Sequence, residues 1–309
     1  MIETDAPEAC ATNAGPQGAV SVRTEPMTHL IVNADDFGQT PGINRAVLEL
    51  HQAGLLTSAS LMARAAATDQ AIEIALATPT LGVGCHVVLT DGEPVLPPAQ
   101  VASLLDPSTN LFIPSLTGFL GRLFAGRIRA DEIQAEATAQ IQYLQSCGLQ
   151  VTHIDTHKHT HMFPRVLRPL LRGARACGIR LVRNPFEPVW AIRATAGAGF
   201  VRAAQVSILR SLQSTWRRIL TEEGFETTGG TIGVSGTGAL DTVTLHRLLD
   251  RVPAGTWELV THPGYNDSDL ARVQTRLRAS RDIEREALPV LREFPALHLI
   301  SFSELTLPH

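Results

Sequence analysis

Short apolar runs alternate with segments of helical periodicity along this chain from Thr28 onward. The runs His29–Asp35, Thr57–Ala63, Leu81–Leu89, Gln150–Thr156, Ile179–Asn184, Gly230–Ser235, Trp257–His262 and Leu297–Phe302 predict strands. Between them, the spacing of apolar positions predicts helices over Gly42–Gln52, Thr68–Ala77, Ala130–Ser146, Arg165–Ala176, Ile192–Thr221, Asp241–Arg251 and Asp269–Glu293. Gly54, Gly148 and Gly178 stand just past three of these helices, where a residue able to adopt the left-handed conformation closes a helix end. Parallel strands need a long return path, so strands that alternate with helices pair in parallel. About eight such units predict an α/β fold, a (β/α) barrel-like arrangement of parallel strands that is distorted or incompletely closed, with a doubly wound open sheet as the alternative.

Composition narrows the picture. A chain of 309 residues with 44% hydrophobic and 18% charged residues can bury a core of barrel size. A net charge of −4 gives no general attraction for nucleic acid. The four cysteines, Cys10, Cys85, Cys147 and Cys177, form no CxxC pair, so neither a disulfide framework nor a thiolate zinc site is signalled, and a cytoplasmic location fits. Residues 1–26 carry almost no large apolar groups and are expected to form a disordered tail, with residues 27–309 as one folded domain. Met27 stands just before the first strand and is an alternative start. No apolar stretch is long enough to span a membrane, and the N-terminus lacks the pattern of a signal sequence.

Candidate chemistry lies at the ends of the predicted strands. The first run stops on Asp35-Asp36-Phe37-Gly38, and burying two adjacent carboxylates is costly unless a cation or hydrogen-bond donors compensate. His86, His157, Arg183 and His262 fall in or at the ends of later strands, which in a barrel converge on one face. The densest stretch is His153-Ile154-Asp155-Thr156-His157-Lys158-His159-Thr160-His161, four histidines in nine residues. Solubility does not explain such a run, whereas metal ligation or proton transfer does, with Asp155 placed to orient an imidazole. A carboxylate and two imidazoles with open positions make a catalytic rather than a structural site. Zn²⁺ suits imidazoles best, with Mg²⁺, Mn²⁺ or Co²⁺ as alternatives, and the remaining aspartate is then available as a general base. His262 has the pKa range of an acid that protonates a leaving amine.

Four motifs, Asn33-Ala34-Asp35-Asp36-Phe37-Gly38, Gly84-Cys85-His86-Val87-Val88-Leu89-Thr90, the histidine run and Thr261-His262-Pro263-Gly264-Tyr265, together resemble the YdjC-like (ChbG/HpnK) carbohydrate deacetylase family. The resemblance implies a metal-dependent hydrolase that removes the N-acetyl group of a GlcNAc-type sugar. It implies Asp36, His86 and His157 as ligands of one divalent metal, Asp35 as base and His262 as acid. Arg183, His159 and Phe37 are implied as substrate-binding groups. Asp91-Gly92-Glu93-Pro94-Val95-Leu96-Pro97-Pro98 and Arg183-Asn184-Pro185-Phe186-Glu187-Pro188 resemble the hopanoid-biosynthesis (HpnK) branch more than the chitooligosaccharide branch.

Within Ile192–Thr221, Val201, Ala204, Ile208, Leu212, Trp216 and Ile219 follow helical spacing, with Arg202, Arg210, Arg217 and Arg218 on other faces. A basic amphipathic insertion of this kind either lies on a membrane surface or packs on the barrel. The expected partner is therefore a small-molecule or lipid-linked amino-sugar substrate, with peripheral contact at the inner membrane surface and a homodimer compatible with the sequence. Two other readings use the same residues. His153-Ile154-Asp155 has the ligand spacing of a non-haem Fe(II) oxygenase, which is usually carried on a jelly roll. A noncatalytic sugar-lipid binding protein would keep the metal site without acetate release.

Overall fold

The sheet is built around β1 (Thr28–Phe37), whose residues from Leu30 to Phe37 are all buried. A strand covered on both faces needs no polar alternation, and Leu30-Ile31-Val32 supplies none. A computed structural model describes Met1 and residues 27–195 and 211–305. The expected tail over 1–26 lies outside the described residues apart from Met1, as do residues 196–210 of the predicted long helix.

The strands are β1, β2 (Ser58–Leu61), β3 (Gly82–Val87), β4 (Ile154–Thr156), β5 (Thr231–Ile232), β6 (Gly255–Thr261) and β7 (Leu297–Leu299). All their pairings are parallel, in the order β4-β3-β2-β1-β6-β5. One edge of β1 pairs with β6 from Thr28 to Ala34, while β7 takes the start of the other edge and β2 its end. Beyond β4, single bridges join Ile154 to Val182 and Leu181 to Glu226, partly spanning the gap towards β5. The result is an open half-barrel, the barrel-like α/β fold expected from the alternation of elements.

The helices are α1 (Pro41–Gln52), α2 (Thr68–Ala77), α3 (Leu116–Phe124), α4 (Ala130–Ser146), α5 (Pro164–Ala176), α6 (Val189–Ala194), α7 (Gln213–Glu223), α8 (Thr242–Leu249) and α9 (Arg278–Ala287). Thr40 caps α1 by accepting from Ile43 N, and Pro41 begins the helix, where its missing N–H costs nothing. Three expectations differ from the structure. The predicted Asp269–Glu293 helix is broken into a 3-10 turn over Leu270–Arg272, α9 from Arg278, and a 3-10 segment over Leu288–Glu293, where Pro289 cannot continue the α-helical hydrogen bonds. The predicted strand Ile179–Asn184 reduces to single bridges at Leu181 and Val182, with Val182 N donating to Glu226 and Arg183 N to Ile154. At the start of the predicted Ile192–Thr221 helix, α6 ends at Ala194 with an extended Thr195, and at its end α7 covers Gln213–Glu223; residues 196–210 lie outside the described residues.

The apolar stripe of α7 faces inward. Trp216 and Ile219 are buried, and Trp216 Nε1 donates to the His161 carbonyl at 3.1 Å, tying the helix to the histidine run. Arg218 pairs with Glu222 on the exposed side. In this part of the amphipathic segment the stripe packs on the barrel, so the membrane-facing alternative concerns Val201, Ala204 and Ile208, which lie outside the described residues. No described helix is long and apolar enough to cross a membrane.

Candidate active site

Regular strand alternation would send Asp35 and Asp36 to opposite faces. The β1–β2 register shifts between Ala34 and Phe37, and Asp36 adopts a left-handed φ of 62°, a conformation rarely taken by a residue with a side chain. This irregularity brings the two neighbouring carboxylates into one cluster at the strand end. Held backbone strain of this kind concentrates at functional sites.

Asp36 converges with His86 from β3 and with His157, the first residue after β4. Asp36 Oδ1 lies 3.6 Å from His86 Nε2 and 3.2 Å from His157 Nδ1, and those two nitrogens are 3.4 Å apart. Ligands at about 2.0–2.1 Å from a tetrahedral ion stand about 3.3 Å from one another, so the triangle fits one such ion. Asp36 Oδ1 is buried without a well-aligned hydrogen bond, while its Oδ2 accepts from Arg281 at 2.5 Å. One carboxylate oxygen is thus capped and the other is left to coordinate.

A second grouping, Asp35, His86 and Asp155, is as close but already satisfied. Asp155 Oδ1 accepts from His86 Nδ1 at 2.7 Å, which turns Nε2 towards the triangle. Its Oδ2 accepts from Ser60 at 2.8 Å and Arg183 at 2.5 Å. Asp35 is gripped by both terminal nitrogens of Arg183, at 2.8 and 2.6 Å, and Asn33 donates to it at 3.0 Å. Arg183 Nε donates to Glu258 at 2.7 Å, so one fully buried guanidinium orders three carboxylates.

The electrostatics follow from this packing. Burial alone would raise the Asp36 carboxyl, but Arg281 and the two histidines hold it well below the usual carboxylate range. Burial likewise opposes ionisation of Asp35, and Arg183 reverses it, so Asp35 is an anion. Burial disfavours a charged His86, yet Asp155 and Asp35 lift it to about 9. The cluster is therefore built to hold positive charge between its carboxylates. Glu258 is pushed up to about 7 by burial, only partly opposed by Arg183.

His262, at the end of β6, places Nε2 3.8 Å from Asp35 Oδ2 and Nδ1 3.7 Å from Glu284 Oε2. Burial opposes its charge, but Glu284 and Asp35 raise its pKa. His159 follows Lys158, and both have left-handed φ, at 51° and 57°. The Nδ1 of His159 has no hydrogen-bond partner. Phe37 and Arg183, both expected to touch substrate, are each 0% exposed: Phe37 packs in the core and Arg183 is enclosed by its carboxylates. Their visible contribution is to shape the strand ends.

Sequence reasoning passed over Glu258, Arg281 and Glu284. Glu258 carried a signal, a lone acid inside the apolar run Trp257-Glu258-Leu259-Val260. Arg281 and Glu284 sit among other charges on α9, where nothing in the pattern separates a buried charge from a solvated one.

Fold and site together define a parallel α/β half-barrel whose strand ends bring a carboxylate and two imidazoles into a triangle that could hold one metal ion. Residues 29–296 match the family described as YdjC-like protein, and the chain belongs to that family. It is 30% identical over 252 residues to a carbohydrate deacetylase of Mus musculus, covering 78% of this chain and 79% of that protein. It is 36% identical over 160 residues to a chitooligosaccharide deacetylase of Salmonella paratyphi B, covering 49% of this chain and 58% of that one. Among solved structures it resembles a "putative cellobiose-phosphate cleavage protein" of Enterococcus faecalis V583, with a TM-score of 0.71 and 25% identity over 91% of this chain and 100% of that one.

Proposed function

We propose that this protein is a metal-dependent carbohydrate N-deacetylase that hydrolyses the acetamide of an N-acetylglucosamine-type sugar and releases acetate. The observation that carries this reading is the triangle of Asp36, His86 and His157 beside an ionised Asp35 that remains outside it. The deacetylase relatives support the choice of reaction.

A divalent ion held by these three residues would lower the pKa of a water molecule and draw charge from the acetyl carbonyl. Asp35 takes the proton of the attacking water as general base, and Arg183 keeps it ionised and aimed. His262 brings a proton on Nε2 to the departing amine, with Glu284 sustaining its charged form. His86 is held in the ligating orientation by Asp155. His159, whose buried Nδ1 has no hydrogen-bond partner, is the histidine of the run assigned to contact the sugar.

For the group attached to the sugar, the sequence motifs favour a hopanoid-type lipid reached at the inner membrane surface. The Salmonella relative favours a chitooligosaccharide. Purified protein of known metal content, given an N-acetylglucosaminyl lipid or diacetylchitobiose, should release acetate from at least one. Release from neither would refute the deacetylase reading.

A further inference from the structure

A cavity of about 550 Å³ lies beside α6, on the outer face of the half-barrel. The face follows from β6. Glu258 turns inward to reach Arg183, so strand alternation sends its neighbour Trp257 outward. Trp190, which lines the cavity, stands edge-on to that outward ring, with centroids 5.4 Å apart and planes at 89°. The sheet therefore separates this cavity from the metal triangle.

Its lining is rich in donors. Arg193 and Arg251 both belong to it, both are exposed, and neither guanidinium has a partner among the described residues. Gln213 and Trp190 add an amide and an indole N–H. Arg217 stands at the edge, where its Nη2 donates to the carbonyl of the lining residue Gly229 at 3.4 Å. The acid in the wall, Glu187, accepts from the backbone N–H groups of Gly233 and Ser235 at 2.8 and 2.7 Å, one on each oxygen. Unpaired guanidiniums beside a carboxylate that is already engaged attract an anion, and several forks together suit a multiply charged phosphate better than a single carboxylate. In a chain of net charge −4 such attraction is a local feature. The volume lies within the range of ligand sites.

We propose that this cavity binds the phosphate group of a phosphate monoester, with Arg193 and Arg251 on its oxygens and Trp190 against the carbon part. The site is independent of the deacetylase reading. It holds a phosphate-bearing molecule, soluble or a lipid headgroup, on the face of the sheet away from the reacting sugar.

The test uses the full, metal-loaded chain and two probes: glycerol 3-phosphate by calorimetric titration, and vesicles of phosphatidylcholine mixed equally with phosphatidic acid by co-sedimentation, against phosphatidylcholine alone. The variants are Arg193→Ala and Arg251→Ala, with Arg127→Ala, exposed between α3 and α4, as the charge control. Each cavity variant should bind at least one probe about tenfold more weakly, as one charged hydrogen bond is lost, and Arg127→Ala should bind as the parent does. Weakening with glycerol 3-phosphate alone identifies a soluble ester, with vesicles alone a lipid headgroup, and with both the shared phosphate. Absent binding of both probes by the parent, unaltered binding in either cavity variant, or equal weakening in Arg127→Ala overturns the proposal. His86→Ala should bind the probe as tightly as the parent; loss of binding there would put the phosphate at the metal triangle and overturn the proposal as well.

Discussion

Two groups of histidines sit within the same part of this molecule and are built oppositely. His86 and His262 face carboxylates, and both are shifted towards the charged form against the effect of burial. His153 and His161 are fully buried among neutral partners. His153 lies between Thr152 and Ser60, with its ring stacked 3.7 Å from that of Phe302. His161 lies between Thr156 Oγ1 and the Arg183 carbonyl. Burial drives both down to about 3, so they are neutral framework. A histidine-rich stretch is thus not a set of equivalent ligands, and the facing group decides what each ring does.

The largest effects should come from breaking the carboxylate-lined group. His86→Ala should lose the bound metal, read by elemental analysis of the dialysed protein, and acetate release with it. Asp35→Asn should keep the metal and lose about 10²–10⁴-fold in turnover, because it removes the base and leaves the triangle in place. Full activity of Asp35→Asn would mean that the base lies elsewhere. Next in size is Asp155→Asn, which touches no ligand atom of the triangle but alters the partner that orients His86. Metal affinity should fall about 10–100-fold in a chelator competition, with a smaller change in turnover once the site is saturated.

How much of this was legible in the sequence follows from the same contrast. Carboxylates and histidines at the ends of apolar runs stand out because their neighbours have nothing to do with charge, so the sequence alone marks Asp35, Asp36, His86, His157 and His262 as candidates, and the fold brings Asp36, His86 and His157 together. The alternation of runs likewise predicted the parallel, barrel-like sheet. The turn of chain that makes Asp35 and Asp36 neighbours in one cluster depends on a left-handed Asp36, which a run of letters does not encode. The helix α3 was missed because Gly118 and Gly121 argue against helix locally, although Ser115 caps it by accepting from Gly118 N. Gly84 reads as a strand-weakening residue, yet any Cβ there would collide with the His153 ring. That contact joins positions far apart in the chain.

The smallest predicted effect tests the framework group. An imidazole held neutral with a folded pKa near 3 has a pKa near 6.5 when unfolded, so between those values the unfolded chain binds the extra proton. Stability therefore rises with pH across that window and is lost on acidification, the reverse of a group whose folded pKa is raised. His86 and His262 act in that reverse sense in metal-free protein: their contribution is fully present below the unfolded pKa and disappears as pH climbs through the raised one. The pH profile of the parent protein mixes both signs, whereas the difference between parent and His153→Gln isolates one. Going from about pH 7.5 to about pH 5.5, the parent should lose about 1.4 kcal/mol more unfolding free energy than His153→Gln, measured by urea denaturation of the metal-free proteins. The sign matters more than the size. Were His153→Gln to show the steeper acid loss, His153 would carry a proton in the folded state, and the division between carboxylate-facing and neutral histidines would fail at this ring.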